Sequence, residues 1–120
     1  MKKPTLVLGA SVNAGRYSNM AICKLRERKM ETFGIGVKKG TVLDVVIETE
    51  KQKYKDLHTI TVYLNPIRQK EYYSYILDLK PKRVIFNPGT ENTEFMSLLK
   101  ENGIEVLIAC TSVLLSINQY

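Results

Sequence analysis

Thr5-Leu6-Val7-Leu8-Gly9-Ala10-Ser11, continued by Val12-Asn13-Ala14-Gly15-Arg16-Tyr17-Ser18, is the stretch whose reading decides the fold. Thr5–Leu8 is a near-continuous apolar run, as a parallel strand covered on both faces requires. Gly9-Ala10-Ser11 is a turn of small residues. Ser18 or Asn19 then offers a side-chain cap for a helix reaching about Lys29. Ala21, Ile22, Leu25 and the stem of Arg28 fall on its inner stripe. Strand, small-residue loop and helix, in that order, is how a doubly wound α/β domain builds an anion-holding loop at the start of its sheet.

The same alternation continues outward. Residues 32–37 read as a second strand, 59–64 as a third, 83–86 as a fourth and 104–109 as a fifth. Asn65-Pro66 opens a helix carrying Ile67, Tyr72, Tyr75, Ile76 and Leu79, with Pro81 just past its end. At helical spacing Tyr72 and Tyr75 point inward and Tyr73 outward. Thr90 or Asn92 caps a helix holding Phe95, Met96, Leu98 and Leu99, which stops at Asn102-Gly103. Residues 111–117 read as a short closing helix. The stretch 38–58 has the weakest pattern: residues 42–48 suit a short strand, and 50–56 are charged and exposed. Strands alternating with helices predict a Rossmann-type, three-layer α/β fold. Its sheet is mainly parallel and five-stranded, of order 3-2-1-4-5, with residues 1–120 forming one domain.

Composition narrows the classes. With 120 residues and 44% hydrophobic content the chain can bury a core. No apolar run is long enough to span a membrane. Met1-Lys2-Lys3 is followed by too short an apolar stretch, broken at Gly9 and Asn13, to be a signal peptide, so a cytoplasmic location is expected. Cys23 and Cys110 are far apart and suit reduced thiols. With two cysteines and one histidine, no metal site is expected. The formal net charge of +6 points to an anionic partner or to solubility alone.

In a sheet of this kind ligands lie beyond the carboxyl ends of the strands. The dinucleotide fingerprint would place glycines at positions 9, 11 and 14, where this chain has Gly9, Ser11 and Ala14. Gly9 still makes the tight turn. Ser11 adds a hydroxyl, and Arg16 adds a fork of donors beside a helix N-terminus; together they predict phosphate binding. A site for NAD wants Asp or Glu at the end of the second strand. This chain has Lys38 and Lys39, followed by Gly40, which suit a phosphorylated ribose instead. NADP carries that phosphate on its 2′ oxygen and coenzyme A on its 3′ oxygen.

At this point the chain resembles the small stand-alone CoA-binding domain proteins, which are similar to the N-terminal domain of the succinyl-CoA synthetase α subunit. The resemblance covers essentially the whole chain. It rests on Val7-Leu8-Gly9-Ala10-Ser11 with Arg16, on Val37-Lys38-Lys39-Gly40 and Tyr63-Leu64-Asn65-Pro66, and on Asn87-Pro88-Gly89-Thr90-Glu91-Asn92 and Ile108-Ala109-Cys110-Thr111. It implies that the loop of Gly9, Ala10 and Ser11, with Arg16, holds CoA phosphates, and that Lys38 or Lys39 meets the nucleotide phosphate. Asn65 and Pro66 then contact the adenine or the start of the pantetheine arm, while Pro88 and Gly89 line the path of that arm.

No catalytic constellation stands out. The phosphorylated histidine of the synthetase belongs to a domain with no counterpart here. His58, the single histidine, precedes the third strand at the end opposite the expected site. The Gly-x-Ser-x-Gly pattern is missing. Asp44 and Glu48 form a carboxylate pair on one strand face or are simply solvated. Cys110 ends the fifth strand on the ligand side, as a small hydrophobe or a thiol within reach of CoA. The expected function is therefore non-catalytic binding of coenzyme A or an acyl-CoA. The alternatives are an NADP-dependent reductase or NADP-binding regulatory domain and, less favoured, a nucleic-acid binder using the basic surface. The expected partner is a small nucleotide cofactor, not nucleic acid or membrane, with a homodimer or partner protein left open.

Overall fold

The computed structural model describes residues 2–120. Its sheet is built outward from Thr5–Leu8 (β1), a strand buried along its whole length. β1 pairs in parallel with Thr32–Ile35 (β2) on one side and with Thr59–Val62 (β5) on the other. Beyond β2 comes a hairpin of Gly40–Val42 (β3) and Val45–Glu48 (β4). Beyond β5 come Arg83–Phe86 (β6) and Glu105–Ile108 (β7). The order is β3-β4-β2-β1-β5-β6-β7, with β3 the antiparallel member.

This corrects the expected five strands of order 3-2-1-4-5. The strand at residues 59–62 lies directly beside β1, not beyond β2. Its expected place is taken by β4, which pairs in parallel with β2. The reason is apolar burial in the stretch with the weakest pattern: Val42, Val45 and Ile47 are 7%, 3% and 0% exposed, on the face covered by Tyr17–Glu27 (α1). The turn between β3 and β4 hides its signal, because Leu43 sits in the left-handed region at φ 54°, where glycine or asparagine is usual. Asp44 of that turn receives a two-pronged ion pair from Arg26 of α1, with Nε–Oδ1 and Nη2–Oδ2 both 2.8 Å. Glu48 ends β4 and faces Lys39 at 3.7 Å. The two carboxylates therefore do not form a pair.

Each face of the sheet has its own cover. Leu6, Leu8, Ile60, Val62, Val84 and Phe86 pack under Tyr73–Leu79 (α3) and Thr93–Glu101 (α4). Val7, Ala10, Val45 and Ile47 pack under Ile22 and Leu25 of α1 and Leu115 of Thr111–Ser116 (α5). Each large apolar side chain so buried contributes about 1.5–3 kcal/mol. Between β4 and β5 the crossover is an extended segment, residues 49–58. Leu57 is buried, and Tyr54 lies on Phe33 with ring centroids 4.5 Å apart. Lys51, Lys53 and Lys55 alternate outward.

The helix after β5 is broken into Pro66–Gln69 (α2), a tight turn at Lys70–Tyr72, and α3. That turn shifts the helical phase. Ile67 is exposed, and Tyr73 stacks on Phe95 at 4.3 Å instead of pointing outward. α1 likewise starts earlier than expected: Arg16 is the cap residue, and Ser18 and Asn19 are buried in the first turn. Among the described residues no helix is long and apolar enough to cross a membrane.

Candidate functional site

The loop after β1 is held by its own polar groups. Gly9 and Ala10 both donate their N–H to the carbonyl of Ile35, at 2.8 and 2.9 Å. This pins the loop to the end of β2. Gly9 has φ +94°, and a β-carbon there would meet the backbone of Tyr63 at 3.1 Å. Ser11 Oγ accepts from the N–H of Asn13, and Asn13 Oδ1 accepts from the N–H of Gly15. The hydroxyl proton of Ser11 therefore remains available to an incoming acceptor. Asn19 Nδ2 donates to the Ser11 carbonyl at 3.0 Å, tying the loop to α1. The N–H groups of Ser11, Val12, Ala14, Tyr17 and Ser18 take no partner among the described residues. Those of Tyr17 and Ser18 are open donors at the start of α1, where an anion is favoured, and the other three lie in the loop before it.

The loop after β2 closes against the first one. A β-carbon on Gly36 would collide with the carbonyl oxygen of Ala10, and one on Gly40 with Cγ1 of Val12. Bare backbone at these positions lets the two loops touch. Loops after β1, β2, β5 and β6 then surround a cleft of about 520 Å³. Arg16, Lys38 and Arg68 line it, and no carboxylate does so among the described residues. Val37 and Tyr17, 72% and 75% exposed, stand at its mouth. Tyr63 lies in its wall, with burial pushing its phenol up to about 12. That group is neutral at ordinary pH and keeps its proton.

Gly9, Ala10, Ser11, Arg16, Lys38 and Pro88 line this cleft, together with Thr90, Leu64 and Arg68. Lys39, Asn65, Pro66 and Gly89 lie beside it without lining it. Lys39 turns to Glu48. Asn65 is spent on capping α2, its Oδ1 accepting from the N–H of Arg68 at 3.0 Å, and Pro66 holds the first helical position. Their effect on the cleft is to place Arg68. Gly89 makes the left-handed turn at φ +89°. Tyr63 belongs to the Tyr63-Leu64-Asn65-Pro66 run expected at the carboxyl end of its strand, whereas Arg68 has no such local signal: its place depends on where α2 starts.

The turn after β6 is fixed from beneath. Asn87, 2% exposed, donates to Thr61 Oγ1 at 2.7 Å and to the Val62 carbonyl at 2.9 Å. Its own oxygen accepts from the Thr111 N–H at 2.9 Å. Thr90 closes the turn by donating both its N–H and its hydroxyl to the Asn87 carbonyl. Cys110 precedes α5, half-buried, and does not line the cleft. His58 sits at the opposite end of the sheet, its Nδ1 2.8 Å from Thr59 Oγ1. Burial, with Arg83, Lys3 and Lys82 nearby, lowers its pKa.

The model of a family described as CoA binding domain matches residues 3–116. A solved structure described as an uncharacterized protein is 47% identical, with a TM-score of 0.97 over 100% of this chain and 99% of that one. A protein from Thermus thermophilus is 22% identical, with a TM-score of 0.87 over 98% and 90% of the two chains. A hypothetical protein from Pyrococcus horikoshii OT3 is 20% identical, with a TM-score of 0.84 over 92% and 80%. These last two show the fold alone. No curated protein matches.

Proposed function

The chain belongs to the CoA binding domain family, and on that premise we propose that it holds coenzyme A or an acyl-CoA in this cleft without catalysing a reaction on it. The observation that carries the reading is the charge of the cleft: Arg16, Lys38 and Arg68 line it, and among the described residues no carboxylate lines it with them. CoA brings a diphosphate and a ribose 3′-phosphate. Open backbone N–H groups, the free hydroxyl proton of Ser11 and the guanidinium of Arg16 suit the diphosphate. Lys38 suits the 3′-phosphate, on the β2 side of the cleft. Val12, Val37 and Tyr17 offer apolar surface to the adenine. The arm then runs past Leu64, Arg68, Pro88 and Thr90, on the β5 and β6 side.

Calorimetric titration with CoA tests this, with dephospho-CoA and NADPH as controls. Saturable binding of CoA, weaker for dephospho-CoA and weaker still for NADPH, is the expected result. Failure of CoA to bind overturns the reading. Preference for NADPH would transfer the site to a nicotinamide cofactor with the same loop contacts.

A further inference from the structure

Gln69 is a buried amide whose place in the fold links two walls of the cleft. It ends α2 and is 1% exposed. Its Nε2 donates to the carbonyl of Leu64 and to the carbonyl of Thr90, both at 2.8 Å. Leu64 follows β5 and Thr90 follows β6, and both line the cleft. Its Oε1 accepts from Asn92 Nδ2 at 3.0 Å. The orientation of the amide is forced, because two carbonyls can only accept and so take both of its N–H groups. Asn92 is held in turn: its Nδ2 also donates to the Tyr73 hydroxyl at 2.8 Å, and its Oδ1 caps α4 at the N–H of Phe95.

We infer that Gln69 is the positioning residue that sets the width of the cleft where the flexible arm of CoA lies, and so decides whether the ligand is held as a whole or only by its nucleotide end. This rests on the CoA reading above. The first loop is fixed by other bonds, to Ile35 and within the loop, and Lys38 stands on the separate loop after β2; Gln69 touches neither. Loss of the Gln69 clamp leaves the Leu64 and Thr90 carbonyls unpaired. They then separate to find water, since a buried acceptor without a donor is unfavourable. The phosphate end of the site keeps its geometry, while the arm loses its channel.

Binding of CoA and of adenosine 3′,5′-bisphosphate, which has the nucleotide but no arm, separates these effects. Wild type, Gln69→Met and Asn92→Asp are compared by calorimetry. Asn92→Asp retains an oxygen to cap α4 but faces Oε1 with an acceptor, which turns the Gln69 amide away from the two carbonyls. Should Gln69→Met fail to fold, Asn92→Asp alone decides. The expected result is a loss of about tenfold for CoA with the bisphosphate within about twofold of wild type. An equal loss for both ligands makes the effect merely structural and overturns the inference, as does unchanged CoA binding. Wild type that binds the bisphosphate but gains nothing from the arm overturns the clamp as well. Wild type that binds neither overturns the CoA reading itself.

Discussion

Replacing Gly36 by alanine adds one methyl group at the most crowded point beneath the first loop. The new β-carbon would lie far inside 3.0 Å of the Ala10 carbonyl oxygen, 3.1 Å from the Ala10 carbonyl carbon and 3.3 Å from Ile47 Cγ2. The oxygen belongs to backbone, so no rotamer change relieves the overlap. Ala10 must retreat, and with it go the N–H bonds that Gly9 and Ala10 make to the Ile35 carbonyl. Overpacking of this kind costs about 1–3 kcal/mol. Weakening the two bonds adds roughly 1 kcal/mol more. A loss of about 3 kcal/mol in a chain of this length lowers Tm by about 12 °C, from an unfolding entropy of roughly 2.1 cal/mol/K per residue. Gly34→Ala and Gly40→Ala are the controls. Each meets a side chain, Ala10 Cβ at 3.1 Å or Val12 Cγ1, and the valine can rotate away. Urea midpoints and CoA titration of the three variants should place Gly36→Ala well below the other two on both measures. Equal stability of Gly36→Ala and Gly40→Ala would refute the argument from backbone contact.

Three further outcomes follow from the same geometry. Lys38→Ala should weaken CoA about tenfold and remove the difference between CoA and dephospho-CoA, while Lys39→Ala, at a lysine already turned to Glu48, changes neither; calorimetry reads both. Asn87→Ala strands the Val62 carbonyl and the Thr111 N–H, and should destabilise the chain by about 2–6 kcal/mol in denaturant unfolding, at about 1–3 kcal/mol per buried group left unpaired. The lowered pKa of His58 means that the unfolded chain takes a proton first as pH falls below the ordinary imidazole value of 6.5. Its contribution is therefore fully present above that pH and declines below it. His58→Gln should flatten this decline in the urea midpoint, and an identical slope in both proteins would remove His58 as its source.

The strands buried along their whole length were legible because burial on both faces leaves a mostly apolar run: β1 and β6 have the expected bounds. The edge hairpin was not, because its turn uses Leu43 where a turn former is usual and because Val46 faces outward between two buried neighbours. Residues 42–48 read as one short strand outside the five-stranded order, whereas the second half of that stretch pairs with β2 and leaves the strand at residues 59–62 on the other side of β1. Tyr73 was misplaced because a helical wheel assumes one continuous helix, and the turn at Lys70–Tyr72 resets it. In the cleft, the first loop and Lys38 were readable as local patterns. So were Tyr63 and Leu64, in the run that ends their strand; Arg68 was not, since tertiary placement brings it to the cleft. The bare positions at Gly36 and Gly40 had a signal in the sequence, glycines spaced through residues 34–40, but its meaning depends on what packs against them.

The extended crossover at residues 49–58 divides the chain near its middle. Before it lie β1, α1 and the hairpin side of the sheet; after it lie β5, β6, β7 and their helices. The segment has outward lysines at 51, 53 and 55 and few backbone bonds of its own, among the described residues those at Glu50, Gln52 and His58. Trypsin should cut here before anywhere else in the fold. The two pieces would still share the β1–β5 ladder and the α1–α5 contact. They form complementary halves, each short of the other's sheet edge, and the cleft lies across the seam between them. A nicked chain that stays associated would make ligand affinity a direct report on how well the halves have been rejoined.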